Sequence, residues 1–515
     1  MTPLTETSPS ELRGGLTTRS FLGFLTTQFL GAVNDNMFRW LIVPIAKYQV
    51  EGRPNMAPVI LGVGLACFVA PYILLAPYAG YLADRFSKRR VIIGCKMAEI
   101  VIMALGVAAI GPARAWLPDP YNLYVMFAVV AMMGSQSALF GPSKMGIIPE
   151  LVSPGKISSA NGLVGLTTVV AVVLGTIAGG VLYTRIDLDS LTDLWLPATA
   201  LIGVATAGWL SSRLIAQVAP VAPERPFPVN PVSETWATLR LVGKSRPILR
   251  VALGIAFFWS VAALAQLNVD TFVLNQLKGT QTQVSVFLGI LSVGVGLGSV
   301  LAGIGSRGRI ELGIVPLGAA LMVLAAVTLS TTEASMLWTA SMLCLLGIGG
   351  GLFNIPLMAY LQHHSPQESR GSILAGGNFL TFSGMLLISF LFPMMQTAWQ
   401  LQPDAVFLIT GLATIPVALY VVVLVPDATL RFITWVLSLT VYRVRVYGRH
   451  NLPERGGALL VANHVSWIDG VLMLLTSSRP IRMLVYADYT RIPGLRLLAK
   501  LFHVIPIKSA DGPRE

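Results

Sequence analysis

The chain has 515 residues, of which 54% are hydrophobic and only 12% are charged. Soluble domains carry about 25% charged residues, so this composition excludes a chain that is water-soluble throughout. The net charge of +12 could fit a nucleic-acid-binding protein, but the basic residues lie in short loops between apolar blocks and form no single basic face. Nucleic acid is therefore excluded as a partner.

Apolar blocks of roughly twenty residues recur along the chain, and each is long enough to cross a bilayer as a helix. The first block is no cleavable signal peptide, because it contains Asn34, Asp35, Asn36 and Arg39 and no small-residue cleavage site follows it. The pattern predicts twelve membrane spans, at residues 21–48, 57–83, 91–111, 121–142, 160–183, 193–213, 248–275, 284–305, 310–330, 334–361, 371–397 and 404–425.

The loops between these spans differ in charge. One set of alternate loops is rich in basic residues and the other is poor in them, so the positive-inside rule places the first set, and both termini, in the cytoplasm. The basic set carries Arg85, Lys88, Arg89, Arg90, Lys144, Lys156, Arg213, Arg225, Arg240, Lys244, Arg246, Arg250, Arg307, Arg309 and Arg370, and the other set carries Arg53, Arg114, Arg185 and Lys278.

The spans fall into two groups of six. Residues 217–246 are rich in proline and charge and contain no span-length apolar run, so they predict a cytoplasmic loop between two halves. Spans six apart share local patterns: Asn34–Phe38 in span one resembles Asn268–Phe272 in span seven. We therefore predict an N-terminal six-helix half at 1–216, a linker at 217–247, a C-terminal half at 248–426 and a further domain at 427–515.

A charged motif follows span two. The run from Gly80 to Arg90 resembles the GxLaDrxGrk signature of the major facilitator superfamily, with Ser87 where the family usually has glycine. The resemblance implies a cytoplasmic charge lock in which the glycine permits close helix approach. Its members here are Gly80, Asp84, Arg85, Lys88 and Arg89.

Asp35 stands inside an apolar span, where an ionisable group is costly and usually faces a cavity or a partner. Its candidate partners are Arg39 on the same helix and Lys144 at the end of span four. Two interpretations are open: a structural ion pair that holds helices together, or a polar patch that receives a lipid headgroup. Span seven supplies a second polar stripe, with Gln266, Asn268, Asp270 and Asn275.

A narrower resemblance covers most of residues 20–425. The runs Gln28–Asn36, Tyr72–Pro77, Gly141–Ile147 and Ala160–Leu163 resemble the bacterial lysophospholipid transporter (LplT) family. The resemblance implies a major facilitator fold of two six-helix bundles in the inner membrane. It further implies inward flipping of lysophospholipids such as lysophosphatidylethanolamine.

The same resemblance assigns site residues. Asp35 and Lys144 match polar positions of the family's headgroup site, and Gln266 stands where the family has a basic residue in span seven. That departure bears on headgroup contacts and substrate range. With their polar neighbours, we expect the substrate-binding residues to be Asn34, Asp35, Arg39, Lys144, Gln266, Asn268 and Asp270.

The tail after the last span carries a different motif. The run Leu459–Gly470 places Asn-His-x-Ser-Trp-x-Asp after a short apolar stretch, and it resembles the first motif of PlsC-type glycerolipid acyltransferases. His464 can take the proton of a glycerol hydroxyl as general base, and Asp469 can orient the imidazole. The spacing from Ser466 to Asp469 taken alone could also be a helix capping box, but the whole run is much more specific for the acyltransferase motif.

The tail is also short. A complete domain of this kind needs about twice its length, and no EGxRS-type phosphate motif follows before Glu515. We expect a truncated protein or gene fragment that is inactive alone as an acyltransferase. The whole is predicted to be an all-α membrane protein followed by a partial α/β domain. Its acyl donor would be acyl carrier protein or acyl-CoA.

Cys67, Cys95 and Cys344 are scattered without CxxC spacing, so no metal site, disulfide or cofactor is predicted. A monomer is the default for this fold. Two other functions fit the same residues: a proton-coupled drug or metabolite antiporter that uses Asp35 as its proton site, and a membrane-anchored acyltransferase acting on 1-acylglycerophospholipids, whose helices only hold the enzyme at the lipid.

Overall fold

The computed structural model describes most of the chain from residue 14 to 426, with gaps at 54, 113–115, 119, 154–155, 188–192, 307–309, 332–334 and 367–368. Beyond residue 427 it describes 428–430, 432, 434, 446–448, 451–453, 456–463, 465, 468–473, 476, 481–493, 496, 499 and 504–508. The transporter portion is therefore described almost continuously, and the tail is described in pieces.

The first half contains the six predicted spans. Its helices are α1 (Arg19–Tyr48), α2 (Met56–Leu74), α3 (Ala76–Arg85), α4 (Lys88–Ile110), α5 (Tyr121–Leu151), α6 (Ile157–Tyr183) and α7 (Trp195–Ser212). A bilayer core offers no water to backbone N–H and C=O groups, so apolar segments of this length must satisfy them within a helix.

Proline changes two of the predicted spans. Span two was expected as one helix, but it divides into α2 and α3 at Leu75, because Pro77 in the first turn of α3 has no N–H to donate to the preceding turn. Span four was expected to end at Pro142, but α5 runs through Pro142 and Pro149 to Leu151. Membrane helices tolerate such prolines because neighbouring groups satisfy the freed carbonyls.

The predicted cytoplasmic loop contains a helix. α8 (Pro231–Lys244) begins after Asn230, whose side chain accepts from the backbone N–H of Ser233 at 3.1 Å. The helix is amphipathic: Val242 is buried, while Trp236 is exposed with the guanidinium of Arg240 5.4 Å from its ring. It packs against α3 of the first half and against two helices of the second half, which follow.

The second half contains α9 (Arg246–Asn275), α10 (Gln281–Ser306), α11 (Val315–Thr331, after a 3-10 turn at Leu312–Ile314), α12 (Met336–His364), α13 (Arg370–Thr397) and α14 (Pro403–Leu424). Of the helices in the described ranges, ten are long and apolar enough to cross a membrane, namely α2, α4, α5, α6 and α9 to α14. α1 and α7 pack into the first half beside α6 and α4 and complete the twelve predicted positions.

The two halves repeat one packing scheme. The pairs α1·α6, α2·α5, α4·α5 and α4·α7 in the first half correspond to α9·α13, α10·α12, α11·α12 and α11·α14 in the second. The halves meet through α2 with α13 and through α6 with α10, and these two interfaces are also equivalent. This arrangement confirms the predicted fold of two related six-helix bundles.

One end of the molecule is closed between the halves. We call the end that carries the linker and α8 the linker end, and the other the opposite end. Direct inter-half contacts run from the membrane middle to the opposite end: a Cβ built on Gly62 of α2 would lie 2.3 Å from the carbonyl oxygen of Ser389, and one on Gly180 of α6 would lie 2.1 Å from Ser285 Oγ. Glycine at both positions permits this close approach.

The tail starts on the second half. Phe432 is buried against Ala302, Ile314 and Leu352 at the linker end, and the carbonyl of Ala428 lies against Gly313. Further along, the described pieces include α15 (Ile468–Met473) and the parallel strands β1 (Leu484–Tyr486) and β2 (Ile505–Ile507), with Val485 opposite Pro506. Parallel strands and a helix agree with the predicted α/β character.

Candidate functional site

Asp35 lies near the middle of α1, half-buried between helices of the first half. Its Oδ2 accepts a hydrogen bond from Ser137 Oγ of α5 at 2.7 Å, and its Oδ1 is buried without a hydrogen-bond partner among the described residues. The ion pair expected with Arg39 or Lys144 is not formed with either residue. Asp35 therefore has a spare acceptor, which a purely structural ion pair would have used.

Lys144 lies on α5 two helical turns from Ser137, toward the linker end, a distance of about 10 Å along the axis. The ammonium interacts electrostatically with Asp35 and Lys96 but makes no hydrogen bond or ion pair within the described part of the chain. Among the described residues, the first half thus presents an ammonium and a carboxylate oxygen that interact electrostatically but have no hydrogen-bond partner.

Arg39 connects the two halves one turn beyond Asp35. Its Nη2 donates to Gln266 Oε1 of α9 at 2.9 Å, and its guanidinium lies 5.3 Å from the Trp40 ring and 5.6 Å from the Phe68 ring. Gln266, the position at which the sequence departs from the family, therefore contacts Arg39 directly in the central polar patch.

Three aromatic rings form an apolar wall beside this patch. Tyr72 of α2 stacks on Phe382 of α13 with centroids 4.2 Å apart, and Phe68 lies 5.7 Å from Tyr72 in an edge-on geometry. The wall spans the interface between the halves, so a molecule held at Arg39 would meet polar groups on one side and aromatic rings on the other.

A buried ion pair lies behind Asp35, and the sequence interpretation missed it. Lys96 Nζ contacts Glu99 Oε2 at 2.5 Å within α4, and Asn34 Nδ2 donates to Glu99 Oε1 at 2.9 Å. Lys96 and Glu99 are each 1% exposed. Two opposite charges three residues apart inside an apolar span were the available signal.

Asn34, which the sequence predicts as a substrate contact, binds this ion pair. Its side-chain amide points into the helix bundle of the first half, toward Glu99. Lys96 also passes over Gly31, where a Cβ would lie 2.0 Å from the ammonium. Asn34, Gly31 and the ion pair thus form a packed layer behind the central patch.

The polar residues of span seven do not all join that patch. Asn268 is fully buried within the second half, where it donates to the carbonyl oxygen of Pro403 at 2.8 Å. Asp270 pairs with Lys47 of α1 near the opposite end of the molecule, at 2.6 Å. Of the expected substrate-binding residues, the structure joins Arg39 to Gln266 by a hydrogen bond and leaves Asp35 within electrostatic range of Arg39 and Lys144. The side chains of Asn34, Asn268 and Asp270 have partners elsewhere.

The charged motif after α2 contacts the linker. Asp84 forms an ion pair with Arg225, and Arg85 donates to the backbone carbonyl of Arg225 at 2.6 Å. Lys88 pairs with Glu150 at the end of α5, while Arg89 donates to the carbonyl of Arg213 at 3.2 Å.

The close helix approach expected at Gly80 is not seen in this conformation. A Cβ built on Gly80 meets no described atom within 4 Å. The packing reason for that glycine therefore does not apply here.

The acyltransferase motif is described only in part. His464 lies outside the described residues, as does Ser466. Asp469 stands in the first turn of α15, where its Oδ2 accepts from the backbone N–H of Val465 at 2.6 Å. This contact agrees with a capping role at the helix start and leaves the predicted pairing with His464 as a prediction.

Comparison with known proteins finds two family models. One, described as Major Facilitator Superfamily, matches residues 28–389, and one described as Acyltransferase matches residues 443–514. Relatives named "Lysophospholipid transporter LplT" match over 378 residues, which are 72% of this chain and 86% of the relative. They are 28% identical in Salmonella gallinarum and 27% identical in Salmonella heidelberg.

Solved structures share the fold at low identity. A POT family transporter in complex with a thioalcohol-conjugated peptide has a TM-score of 0.63 at 12% identity, and the match covers 82% of this chain and 100% of that one. A bacterial homologue of the iron transporter ferroportin in an outward-facing state has a TM-score of 0.55 at 18% identity, over 81% and 98%. These likenesses concern architecture alone.

Proposed function

This chain belongs to the Major Facilitator Superfamily, and from that membership we propose that it flips lysophospholipids, such as lysophosphatidylethanolamine, across the bacterial inner membrane. The relatives named LplT support the substrate class. The basic loops of the linker end support a cytoplasmic position for that end and for both termini. Closure at the opposite end then corresponds to a state that faces the cytoplasm.

The observation that carries the proposal is the pair of unused charges in the central patch. Within the described part of the chain, Asp35 Oδ1 has no hydrogen-bond partner and the ammonium of Lys144 forms no hydrogen bond or ion pair. A phosphoethanolamine headgroup carries one cation and one anion, so its ammonium would bind Asp35 and its phosphate would bind Lys144. Arg39 and Gln266 would add contacts from the interface, and the Tyr72–Phe382 wall would hold apolar parts of the lipid.

The roles of the other predicted residues differ. We propose that Asn34, Asn268 and the motif Gly80, Asp84, Arg85, Lys88 and Arg89 act on conformation: the first two fix helices within each half, and the motif ties the first half to the linker. Rocking of the halves against each other around a fixed site is the usual transport cycle of this fold.

The tail would act on the cargo after transport. The match of residues 443–514 to acyltransferases supports reacylation of the lysophospholipid at the cytoplasmic face. His464 would accept the proton of the glycerol hydroxyl as that oxygen attacks an acyl thioester, and the same proton would leave with the thiol of acyl carrier protein or coenzyme A. Asp469 would orient His464.

The proposal divides the chain as its loops and helices suggest: halves at 1–216 and 248–426, a linker at 217–247 and the acyltransferase segment at 427–515. The pairing of the halves within one chain supports a monomer, because both sides of the central patch come from the same molecule.

The test is uptake of labelled lysophosphatidylethanolamine into spheroplasts that lack their own pathway. The full chain and residues 1–426 should import it, and Asp35→Asn and Lys144→Gln should each lower uptake at least tenfold. Asp193→Asn removes an exposed carboxylate in the loop before α7 and serves as the matched control. Absence of uptake by every correctly inserted form would overturn the proposal. Uptake of another solute driven by a pH gradient would favour the antiporter.

The anchor alternative is separated by acylation. An Asp35→Asn protein that stops importing while a complete fused acyltransferase still acylates lipid supplied at the cytoplasmic face supports a transporter. Equal loss of both activities would count against independent transport.

A further inference from the structure

A cavity of about 810 Å³ lies between the two halves at the opposite end of the molecule. Its walls come from α1 and the loop after it, from α9 and α10, and from the ends of α13 and α14. They carry both signs of charge, including Lys47, Glu51 and Arg53, together with the amides of Gln281 and Gln396. In the proposed orientation this cavity opens toward the outer face of the membrane.

An ion pair between the halves adjoins this cavity: Lys47 is part of the lining, and Asp270 lies behind it. Lys47 Nζ of α1 donates to both carboxylate oxygens of Asp270 of α9, at 2.6 and 2.8 Å, and to Gln281 Oε1 at 3.0 Å. Gln281 Nε2 donates in turn to Asp270 at 3.2 Å. The side chains of Lys47 and Asp270 are 9% and 1% exposed, so the contact is nearly dry.

Because of its position, this ion pair is a barrier to separation of the two halves. α1 and α9 belong to different halves, and just below the pair Ser285 of α10 is packed against Gly180 of α6. The halves therefore cannot separate at this end unless Lys47 and Asp270 part. Two buried charges that part without new partners are strongly unfavourable, because each loses its counter-charge before it regains water.

We propose that this cavity is a second headgroup site, which takes a zwitterionic phospho-amine headgroup from the outer leaflet and opens the barrier by exchange of partners. The headgroup phosphate binds the ammonium of Lys47, and the headgroup amine binds the carboxylate of Asp270. The inference rests on the proposed function and adds an entry site to it.

The exchange requires a ligand that carries both charges. The phosphate of a zwitterion replaces Asp270 as the partner of Lys47, and its amine replaces Lys47 as the partner of Asp270. Neither residue is then left unpaired. An anionic headgroup without an amine satisfies Lys47 but leaves Asp270 as an unpaired buried charge. A ligand shifts a conformational equilibrium only through its different affinity for the two states. In the closed state Lys47 and Asp270 are occupied by each other, and in the open state both are available to the ligand.

The spacing of the two sites fits movement across the membrane. Lys47 follows Asp35 by twelve residues on α1, which is about 18 Å along the helix axis, more than half of a hydrocarbon core of about 30 Å. The Arg39–Gln266 contact lies between them. α1 thus carries one side chain for the headgroup near the outer face, Lys47, and another near the centre of the membrane, Asp35.

The test measures opening at Ser285, which is 1% exposed below the ion pair. In a protein whose Cys67, Cys95 and Cys344 are replaced by alanine, Ser285→Cys is labelled in whole cells with a membrane-impermeant maleimide. Lysophosphatidylethanolamine should raise the labelling rate on the order of tenfold, which corresponds to about 1.4 kcal/mol. Lysophosphatidic acid of the same chain length, which has no amine, should not. If Ser285→Cys stops import, Val284→Cys is the second reporter.

Variants separate this site from the central one. In Asp270→Asn, labelling should be fast without lipid and should no longer respond to it, whereas Asp193→Asn should behave as the parent. The exchanged pair Lys47→Asp/Asp270→Lys should restore slow labelling and the response, because a zwitterion can bind in either direction. In Asp35→Asn, import should stop while lipid-accelerated labelling persists.

Three results would overturn the inference. The first is labelling that does not change with lysophosphatidylethanolamine in cells that import it, and the second is equal acceleration by lysophosphatidic acid. The third is loss of the labelling response in Asp35→Asn, which would assign the opening to the central site alone. Absence of import in the parent protein would instead defeat the proposed function, so the two failures are distinguishable.

Discussion

Replacement of Glu99 by glutamine should destabilise the protein by about 3–5 kcal/mol, the cost of removing one partner of a buried ion pair. The amide keeps the shape of the side chain and can still accept from Asn34, but it leaves the ammonium of Lys96 uncompensated at 1% exposure. The central patch is affected through its electrostatics, because the charges of Glu99 and Lys96 both act on Asp35.

The assay is the free energy of unfolding from reversible denaturation in mixed micelles, applied to Glu99→Gln, Lys96→Met and the double variant. Each single change leaves one buried charge, and the double change leaves none of the pair. We therefore expect the double variant to lose at least about 2 kcal/mol less free energy of unfolding than the sum of the two single losses. Losses that add within about 0.5 kcal/mol would refute the reasoning, since they would mean that the two charges do not interact.

Two further predictions concern glycine and the charged motif. Gly31→Ala should lower the free energy of unfolding by about 1–3 kcal/mol, because its Cβ would lie 2.0 Å from Lys96 Nζ, whereas Gly203→Ala in α7, which meets open space, should be neutral or slightly stabilising in the same assay. Asp84→Asn should cost less than about 1 kcal/mol, because Asp84 and Arg225 are 42% and 32% exposed, yet it should slow import in the spheroplast assay by releasing the linker. Destabilisation of several kcal/mol by Asp84→Asn would contradict this interpretation.

Some site residues could be identified from the sequence and others could not. Asp35 stands out because a carboxylate in an apolar span needs a reason, and its neighbour Arg39 lies one turn away. Lys96 and Glu99 gave the same kind of signal in span three and were overlooked. Lys47 gave little signal, because it lies near the end of its helix, where a basic residue is ordinary.

Partners were harder to predict than positions. Lys144 was expected to pair with Asp35, but the two groups remain separate in the structure. Asp270 was grouped with Gln266 because they share a helix. It lies four residues further along that helix, however, and is therefore beside Lys47 instead. Sequence spacing along one helix gives the height of a side chain but leaves its neighbour on another helix open.

The sequence by itself determined the number of spans, their division into two related groups and the presence of a distinct tail, because a backbone in a bilayer must satisfy its hydrogen bonds within each apolar segment. Only the tertiary structure decided which faces of those helices meet. In a soluble protein an apolar stripe marks the buried face, but here lipid and protein interior are equally apolar, so the sequence does not show how each helix is rotated. That rotation buries the Lys96–Glu99 pair of α4 behind the site and pairs Lys47 with Asp270 across the halves. It also leaves Asp35 Oδ1 without a hydrogen-bond partner among the described residues.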